Sequence, residues 1–78
     1  MSFQYNQADG CYYPMKAEDA TWLGACEGAI ITEMDLPSGA TITAQPGQAL
    51  KILGYRNGGV KHGKIQIIER PNWNGKHD

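Results

Sequence analysis

The part of the chain that decides the fold is residues 45–70, QPGQALKILGYRNGGVKHGKIQIIER, where two apolar runs flank a glycine-rich segment. Apolar and polar side chains alternate in residues 49–55 and again in residues 64–70. Alternation with a period of two is typical of strands that bury one face. The side chains predicted to face inward are Leu50, Ile52, Ile65 and Ile67. Residues 49–70 are therefore expected to form a hairpin of two strands.

Three further strands are predicted before this hairpin, at residues 11–13, 29–34 and 40–44, because these runs are rich in aromatic or β-branched residues. Residues 36–39, Leu-Pro-Ser-Gly, favour a type I turn. Residues 45–48, Gln-Pro-Gly-Gln, favour a type II turn, in which the glycine adopts a positive φ. Connections this short leave no room for crossover helices, so the strands should pair antiparallel.

Residues 16–24 have helical character, since they contain acidic residues where the first turn would lie and place Ala20 and Leu23 on one face. No residue of good N-capping type precedes them, and a helix this short depends on packing. We expect Asp19 to be solvated at the start of the helix and Trp22 to be a core residue.

These elements together predict a single domain over residues 1–78, of mainly β class and α+β at most. The expected architecture is a small antiparallel sheet or SH3-like barrel of about four or five strands, with one short helix near residues 16–24. Closing the sheet would hide edge strands that invite unwanted pairing. Residues 1–10 and 72–78 are candidates for flexible tails.

One part of the hairpin resembles the KOW motif of SH3-like barrels. The resemblance lies in Gly47-Gln48, the alternating strand with Leu50 and Ile52, Gly54, and the later Gly63-Lys64-Ile65. It covers about a quarter of the chain, and the loop between its glycines is longer here. In its family the motif often contacts RNA. The resemblance favours an SH3-like barrel, and no functional residue is carried over from it.

The glycine-rich segment also matches the first part of a phosphate-binding loop, G-x-x-x-x-G-K, at residues 58–64. Such a loop needs a Ser or Thr after the lysine and a helix that follows, whereas here Ile65 begins a predicted strand. This reading is therefore excluded. A hairpin connection is expected instead, either a type I′ turn at Asn57-Gly58 with Gly63 as a bulge, or a longer open loop over residues 57–63.

Metal binding and covalent catalysis find little support in the residue pattern. The residues of metal-ligand type are Cys11, Cys26, His62 and His77, and no C-x2-C or H-x3-H spacing links them. No catalytic residue, metal or cofactor is expected, and an enzyme would need a site between subunits. The two cysteines could form a disulfide, but two reduced and partly buried thiols are expected.

The composition and the first residues of the chain predict its location in the cell. With 78 residues, 41% hydrophobic and 19% charged, the chain is too apolar for a disordered protein and too polar for a membrane protein. Residues 1–7 contain neither a basic residue nor an apolar stretch, so they do not resemble a signal peptide. A cytoplasmic location without membrane association is therefore expected.

The net charge of −1 conceals two halves of opposite sign, since residues 1–47 carry −5 and residues 48–78 carry +4. Folding could interleave the halves so that their charges neutralise each other. Alternatively, the acidic and basic halves would allow self-association, which should weaken as the salt concentration rises.

The sequence is compatible with two kinds of binding protein. The first is a non-enzymatic protein-binding module, such as a small regulator, inhibitor or assembly component, a class that includes many phage-encoded proteins. The second is a nucleic-acid-binding protein that uses the basic hairpin at residues 49–70, although a pI near 6.0 argues against it. The binding residues expected in either case are Tyr55, Arg56, Lys61, His62, Lys64 and Trp73. The indole of Trp73 would either dock on the domain or anchor a partner.

Overall fold

The computed structural model of the protein describes residues 3–71, which form seven strands and one helix. The elements are β1 (Phe3–Asn6), β2 (Cys11–Pro14), α1 (Ala17–Ala25), β3 (Ile30–Ile31), β4 (Glu33–Asp35), β5 (Thr41–Thr43), β6 (Gln48–Asn57) and β7 (Val60–Glu69). Five strands form an antiparallel sheet in the order β1-β2-β7-β6-β3, and β4 and β5 pair with each other. The predicted class, mainly β with one short helix, is confirmed.

The hairpin of β6 and β7 is longer and tighter than its sequence predicts. Asn57 pairs with Val60, and the two glycines between them have φ values of +65° and +84°. Positive φ at both central positions defines a type I′ turn. The turn is therefore centred on Gly58 and Gly59 rather than on Asn57-Gly58, and the open-loop alternative is wrong. Gly63 pairs regularly with Gly54, so the predicted bulge is also wrong.

The run predicted as one strand at residues 29–34 is bent at Thr32 into β3 and β4. On one side of the bend, Ile52 donates a backbone hydrogen bond to the Ala29 carbonyl (2.9 Å), and on the other Ala44 donates to the Thr32 carbonyl (2.8 Å). Backbone polar groups of successive residues point to opposite edges of a strand, and Ala29 and Thr32 are three positions apart, so these two bonds leave opposite edges. The β4–β5 pair thus continues the sheet beyond β3, around a bend.

The first strand lies within residues 1–10, where the sequence predicts no strand. β1 pairs with β2 through a turn in which the Gly10 amide donates to the Asn6 carbonyl (2.8 Å). Within residues 3–71, β1 and β5 each pair on one edge alone. Of the two predicted architectures, the structure has the antiparallel sheet, and among residues 3–71 β1 does not pair with β5 to close it into a barrel.

The core lies on the concave face of this sheet, between β6, β7, the helix and the β4–β5 pair. Its buried residues are Leu23, Leu36, Leu50, Ile52 and Ile65. The predicted inner faces of α1 and of the hairpin strands supply most of them. Trp22, in contrast, remains 46% exposed, so its predicted place in the core is wrong. Its neighbour Leu23 points to the sheet instead, and successive residues of a helix point about 100° apart.

A buried carboxylate joins the helix to the turn before β5. Asp19 is completely buried, and its two oxygens accept hydrogen bonds from the Ser38 amide (3.1 Å) and the Ser38 hydroxyl (2.6 Å). The prediction that Asp19 is solvated is therefore wrong. A buried carboxylate needs hydrogen-bond donors, and Ser38 supplies two of them.

The helix lies directly on the backbone of β7. A Cβ atom built on Gly63 would stand 2.3 Å from the carbonyl carbon of Leu23, and one built on Gly24 would stand 2.8 Å from the Lys61 carbonyl oxygen. These distances are far inside van der Waals contact, so only glycine fits at either position. The two glycines set how closely α1 approaches the sheet.

Two ion pairs join the acidic and basic halves of the chain. Lys61 pairs with Glu27 (2.5 Å), and Lys64 pairs with Asp9 (3.0 Å). Folding thus brings cations of the second half onto acids of the first, as the interleaved arrangement requires.

The two cysteines are free thiols on opposite faces of the sheet. Cys26 packs against the core, whereas Cys11 precedes Tyr12, the β2 residue that pairs with the core residue Ile65, and so points to the other face. The helix α1 is neither long enough nor apolar enough to cross a membrane.

Candidate functional site

An apolar cleft of about 360 Å³ opens on the concave face, where the bent sheet fails to close. Its residues come from β1 and β2 on one side, from β5 and the segment after it on the other, and from β6 and β7 at its floor. They are Phe3, Tyr12, Ile42, Thr43, Ala44, Gln45, Gln48, Leu50, Ile65 and Ile67. Its volume lies at the lower end of the range typical of ligand pockets.

The cleft has an apolar floor and a partly polar rim. Leu50 and Ile65 belong to the buried core, and Ile67, two residues further along β7, is 36% exposed. At the β2 side Tyr12 is 38% exposed, and its ring lies 4.9 Å from the ring of Tyr5. Apolar side chains that stay accessible beside a core are common at binding sites.

Unpaired strand edges border the cleft on both sides. The backbone groups of Ala40 and Ala44 are turned toward β4, since Leu36 donates to the Ala40 carbonyl (2.8 Å) and Ala44 donates to Thr32. By alternation the amides and carbonyls of Thr41 and Thr43 face away from β4. Within residues 3–71 no strand pairs with that side of β5, nor with the outer edge of β1.

Charged side chains stand near the cleft but do not line it. Glu33 and Asp35 are exposed on β4, directly across from Thr43 and Thr41. Asp35 accepts a hydrogen bond from the Thr41 hydroxyl (2.9 Å). Neither carboxylate belongs to an ion pair among residues 3–71. The outer surface of the β4–β5 pair is therefore acidic.

At the other end of the cleft, Glu69 pairs across from the lining residue Gln48. Arg70 lies beside it, and its Nε donates a hydrogen bond to the Gln48 carbonyl (3.3 Å). The charges at this end thus include one acid and one base.

The predicted binding residues of the hairpin do not form one surface. Because Ile65 faces the core, alternation places His62, Lys64 and the cross-strand partner Tyr55 on the opposite, convex face of the sheet. Arg56 and Lys61 pair with each other on the concave side. Trp73 lies outside the described residues, so its predicted role stays a prediction.

The three convex-face residues Tyr55, His62 and Lys64 form a cluster with Tyr13 and Asp9. The ring of Tyr55 lies 5.5 Å from that of Tyr13 and 5.7 Å from that of His62, both in edge-on contact. The Lys64 ammonium sits 5.4 Å and 5.6 Å from the centres of the Tyr13 and Tyr55 rings, close enough for cation–π attraction. It also donates hydrogen bonds to Asp9 (3.0 Å) and to the Tyr13 hydroxyl (3.2 Å).

The proton affinities of this group follow from those contacts. Hydrogen bonds from Tyr13 and Lys64 hold the pKa of Asp9 below its usual value. The hydrogen bond to Asp9 raises the pKa of Tyr13, and the bond to Asp9 also raises the pKa of Lys64. Burial raises the pKa of the nearby Cys11 thiol. Asp9 therefore stays ionised and Lys64 stays protonated, and each charge is satisfied within the chain.

Sequence reasoning missed most of the cleft. Ile67 could be found, because the alternation of β7 places it on the core face beyond Ile65. Phe3 and Tyr12 gave no such signal, since their strands are short and lie at the edge of the sheet. No described group of three or more His, Cys, Asp or Glu side chains is arranged to hold a metal ion.

Comparisons with protein-family models, with curated proteins and with solved structures found no match to this chain. Any functional conclusion therefore depends on the geometry of the molecule itself.

Proposed function

We propose that this protein is a non-enzymatic protein-binding module whose cleft between β1 and β5 receives part of another protein. The observation that carries the proposal is the pairing of an accessible apolar floor with two unpaired strand edges. Apolar side chains supply binding free energy when a partner covers them, and free edges supply backbone hydrogen bonds. A regulator, inhibitor or assembly component would need no more than this.

Nucleic-acid binding through the hairpin at residues 49–70 is the second candidate, and the geometry favours it less. Two of the hairpin's cations, Lys61 and Lys64, are already paired with acids of the first half. Tyr13 and His62 already pack against Tyr55, the aromatic residue expected to stack on bases. A titration of labelled single-stranded and duplex DNA at ~50 and ~200 mM salt tests this candidate, because phosphate contacts give a steep salt dependence.

Self-association through the acidic and basic halves is also less favoured, because the same two ion pairs join the halves within one chain. If oligomers do form in this way, the molar mass from light scattering should fall as salt is raised. An unchanged mass would argue against this mode of association.

A pull-down from the native host with two matched variants tests the protein-binding proposal. Ile67→Lys places a charge in the cleft, and Val60→Lys makes the same kind of change at the hairpin tip, where Val60 is 48% exposed. Both side chains are accessible enough for the lysine to reach water. Thermal unfolding of each variant verifies that the fold persists.

The expected result is a host protein that the original chain and the Val60→Lys variant retain and the Ile67→Lys variant loses. The proposal fails if the folded proteins retain no partner, or if Ile67→Lys retains it as well as Val60→Lys does.

A further inference from the structure

We propose that the partner enters the cleft as an extended segment that pairs with the free edge of β5, with apolar side chains alternating with lysine or arginine. This inference rests on the proposed function and names the chemistry of its partner. The added strand would occupy the gap at which the bent sheet stops short of a closed barrel.

The backbone of β5 provides the first part of the argument. Thr41 and Thr43 turn their amide and carbonyl groups away from β4, and no strand of residues 3–71 pairs with that side of β5. An added strand of three or four residues would satisfy these groups in the pattern of an antiparallel or parallel ladder. The turn at residues 45–48 follows β5 closely and limits the length of the new pairing.

The two faces of β5 provide the second part. Ile42 packs toward the core and lines the cleft, whereas Thr41 and Thr43 are exposed, Thr43 at the rim of the cleft. In a strand beside β5, every second side chain would therefore point into the cleft, above Leu50 and Ile67. Apolar side chains fit these positions, because the floor is apolar.

Charge complementarity provides the third part of the argument. It predicts the chemistry of the partner's side chains that point away from the cleft. Glu33 and Asp35 share the exposed face with Thr43 and Thr41, and neither has a cationic partner among residues 3–71. The new strand would lie two strand spacings from β4, roughly 10 Å, with only short threonine side chains between. Lysine and arginine are long enough to approach the two carboxylates across that distance.

The charges at the end of the cleft beside Gln48 do not alter the preference for a basic partner. Glu69 adds a third carboxylate, and the cation Arg70 is held by the Gln48 carbonyl. The occupant predicted by the summed charges is therefore basic, with its positive side chains on the solvent side.

The test uses NMR spectra of the full ¹⁵N-labelled chain and two synthetic peptides. One peptide alternates valine and lysine over seven residues, and its control alternates valine and glutamate over the same length. The valine–lysine peptide is expected to shift the amide signals of residues 3–6 and 41–44 and to slow hydrogen exchange at Thr41 and Thr43. The valine–glutamate peptide should bind at least about fivefold more weakly, the size expected for one or two exposed ion pairs.

Two charge variants separate a local effect from an effect of net charge. Glu33→Lys should weaken binding of the valine–lysine peptide about fivefold. Glu27→Lys makes the same change in net charge beside Lys61, at the hairpin tip, and should alter the affinity by less than about twofold.

Several results would overturn the inference. They are equal binding of the two peptides, shifts centred on Tyr55 instead of β5, and equal effects of the two charge variants. A molar mass that doubles with concentration, together with shifts at β5, would make a second copy of the chain the occupant. Shifts at β5 caused by Trp73→Ala in the absence of peptide would make the chain's own C-terminal segment the occupant.

Failure of this inference is distinguishable from failure of the proposed function. If neither peptide binds but a host protein is still lost by Ile67→Lys, the protein-binding proposal stands and its partner is not a basic strand.

Discussion

The two ends of the concave face of the sheet are both built on β6 and β7, but the helix covers one end and leaves the other open. At one end Gly54 and Gly63 face each other across β6 and β7, and the helix lies against the backbone there. At the other end Leu50 and Ile67 face each other, and no helix covers them, so the cleft remains. The glycines allow the helix to fill the first end, whereas the larger side chains of Leu50 and Ile67 leave the second end open.

Because of this difference, the residues that affect the stability of the domain and those that affect partner binding are expected to lie at different ends of the concave face. At the helix-covered end a Cβ atom on Gly63 would overlap the backbone of α1, so added atoms there must displace backbone. The cleft end has accessible volume of about 360 Å³, so added atoms can enter it. Changes at the first end should therefore appear in the free energy of unfolding, and changes at the second end in partner binding.

The largest expected effect is that of Gly63→Ala at the helix-covered end. The new methyl group would meet the Leu23 backbone at 2.3 Å and force α1 off the sheet. We expect a loss of about 2–3 kcal/mol in unfolding free energy, which lowers Tm by roughly 10–20 °C in a domain of this size. Thermal unfolding followed by circular dichroism measures it.

Gly54→Ala is the matched control for that substitution. Its methyl group would meet the flexible carboxylate end of Glu27, at 2.6 Å, which can move away at the cost of its exposed ion pair with Lys61. The expected loss is below about 1 kcal/mol. Equal losses for the two glycines would contradict the claim that helix backbone fills this end.

The second effect concerns the two hydrogen bonds between Asp19 and Ser38, which hold the helix to the turn before β5. Asp19→Ala would leave the amide and hydroxyl of Ser38 without their acceptors, at a cost of about 2 kcal/mol. Ser38→Ala should cost less, because the amide bond remains. Denaturant unfolding of both variants and of the double variant measures the coupling, and strictly additive losses would show that the two residues do not interact.

The third effect tests whether the cleft end tolerates extra atoms. Ala44→Val adds two methyl groups beside the cleft, where Ala44 is half-buried and lines the open volume. We expect a change within about 0.5 kcal/mol of zero, in contrast to Gly63→Ala. A loss as large as that of Gly63→Ala would mean that the cleft is packed as tightly as the helix-covered end.

The smallest effect lies on the convex face and depends on pH. The pKa of Asp9 is lowered in the folded protein from 3.8, so its contacts with Tyr13 and Lys64 stabilise the fold above that pH. The contribution is lost as the pH falls through the lower, folded pKa. The small difference in Tm between the original chain and Asp9→Asn should therefore be present at pH ~7 and shrink as the pH falls below about 4. A difference that persists in acid would contradict this assignment.

Much of the fold could be predicted because its signals are local. The alternation of β6 and β7 identified the core face that Leu50, Ile52 and Ile65 occupy. The turn residues also behaved as predicted: Gly39 donates to the Leu36 carbonyl (2.9 Å), and Gly47 has a φ of +80°. Such signals depend on the conformational limits of a few adjacent residues.

The candidate site was less predictable because its parts are distant in the chain. Basic and aromatic residues near the hairpin tip suggested one surface, but the pleat of the sheet sends Lys61 and Lys64 to opposite faces. Their acidic partners, Glu27 and Asp9, come from elsewhere in the sequence. No local pattern indicates which acid a given lysine will meet.

The sequence by itself therefore determined the strands β6 and β7, the helix and the turns at residues 36–39 and 45–48, since each is decided by residues within a few positions of one another. Tertiary structure alone decided the burial of Asp19, the need for glycine at Gly63, the bend at Thr32 and the cleft between β1 and β5. Each of these depends on how closely distant segments approach, and that distance is set by packing across the whole core. The hairpin of residues 49–70 could be recognised from its sequence, whereas the open space beside it could not.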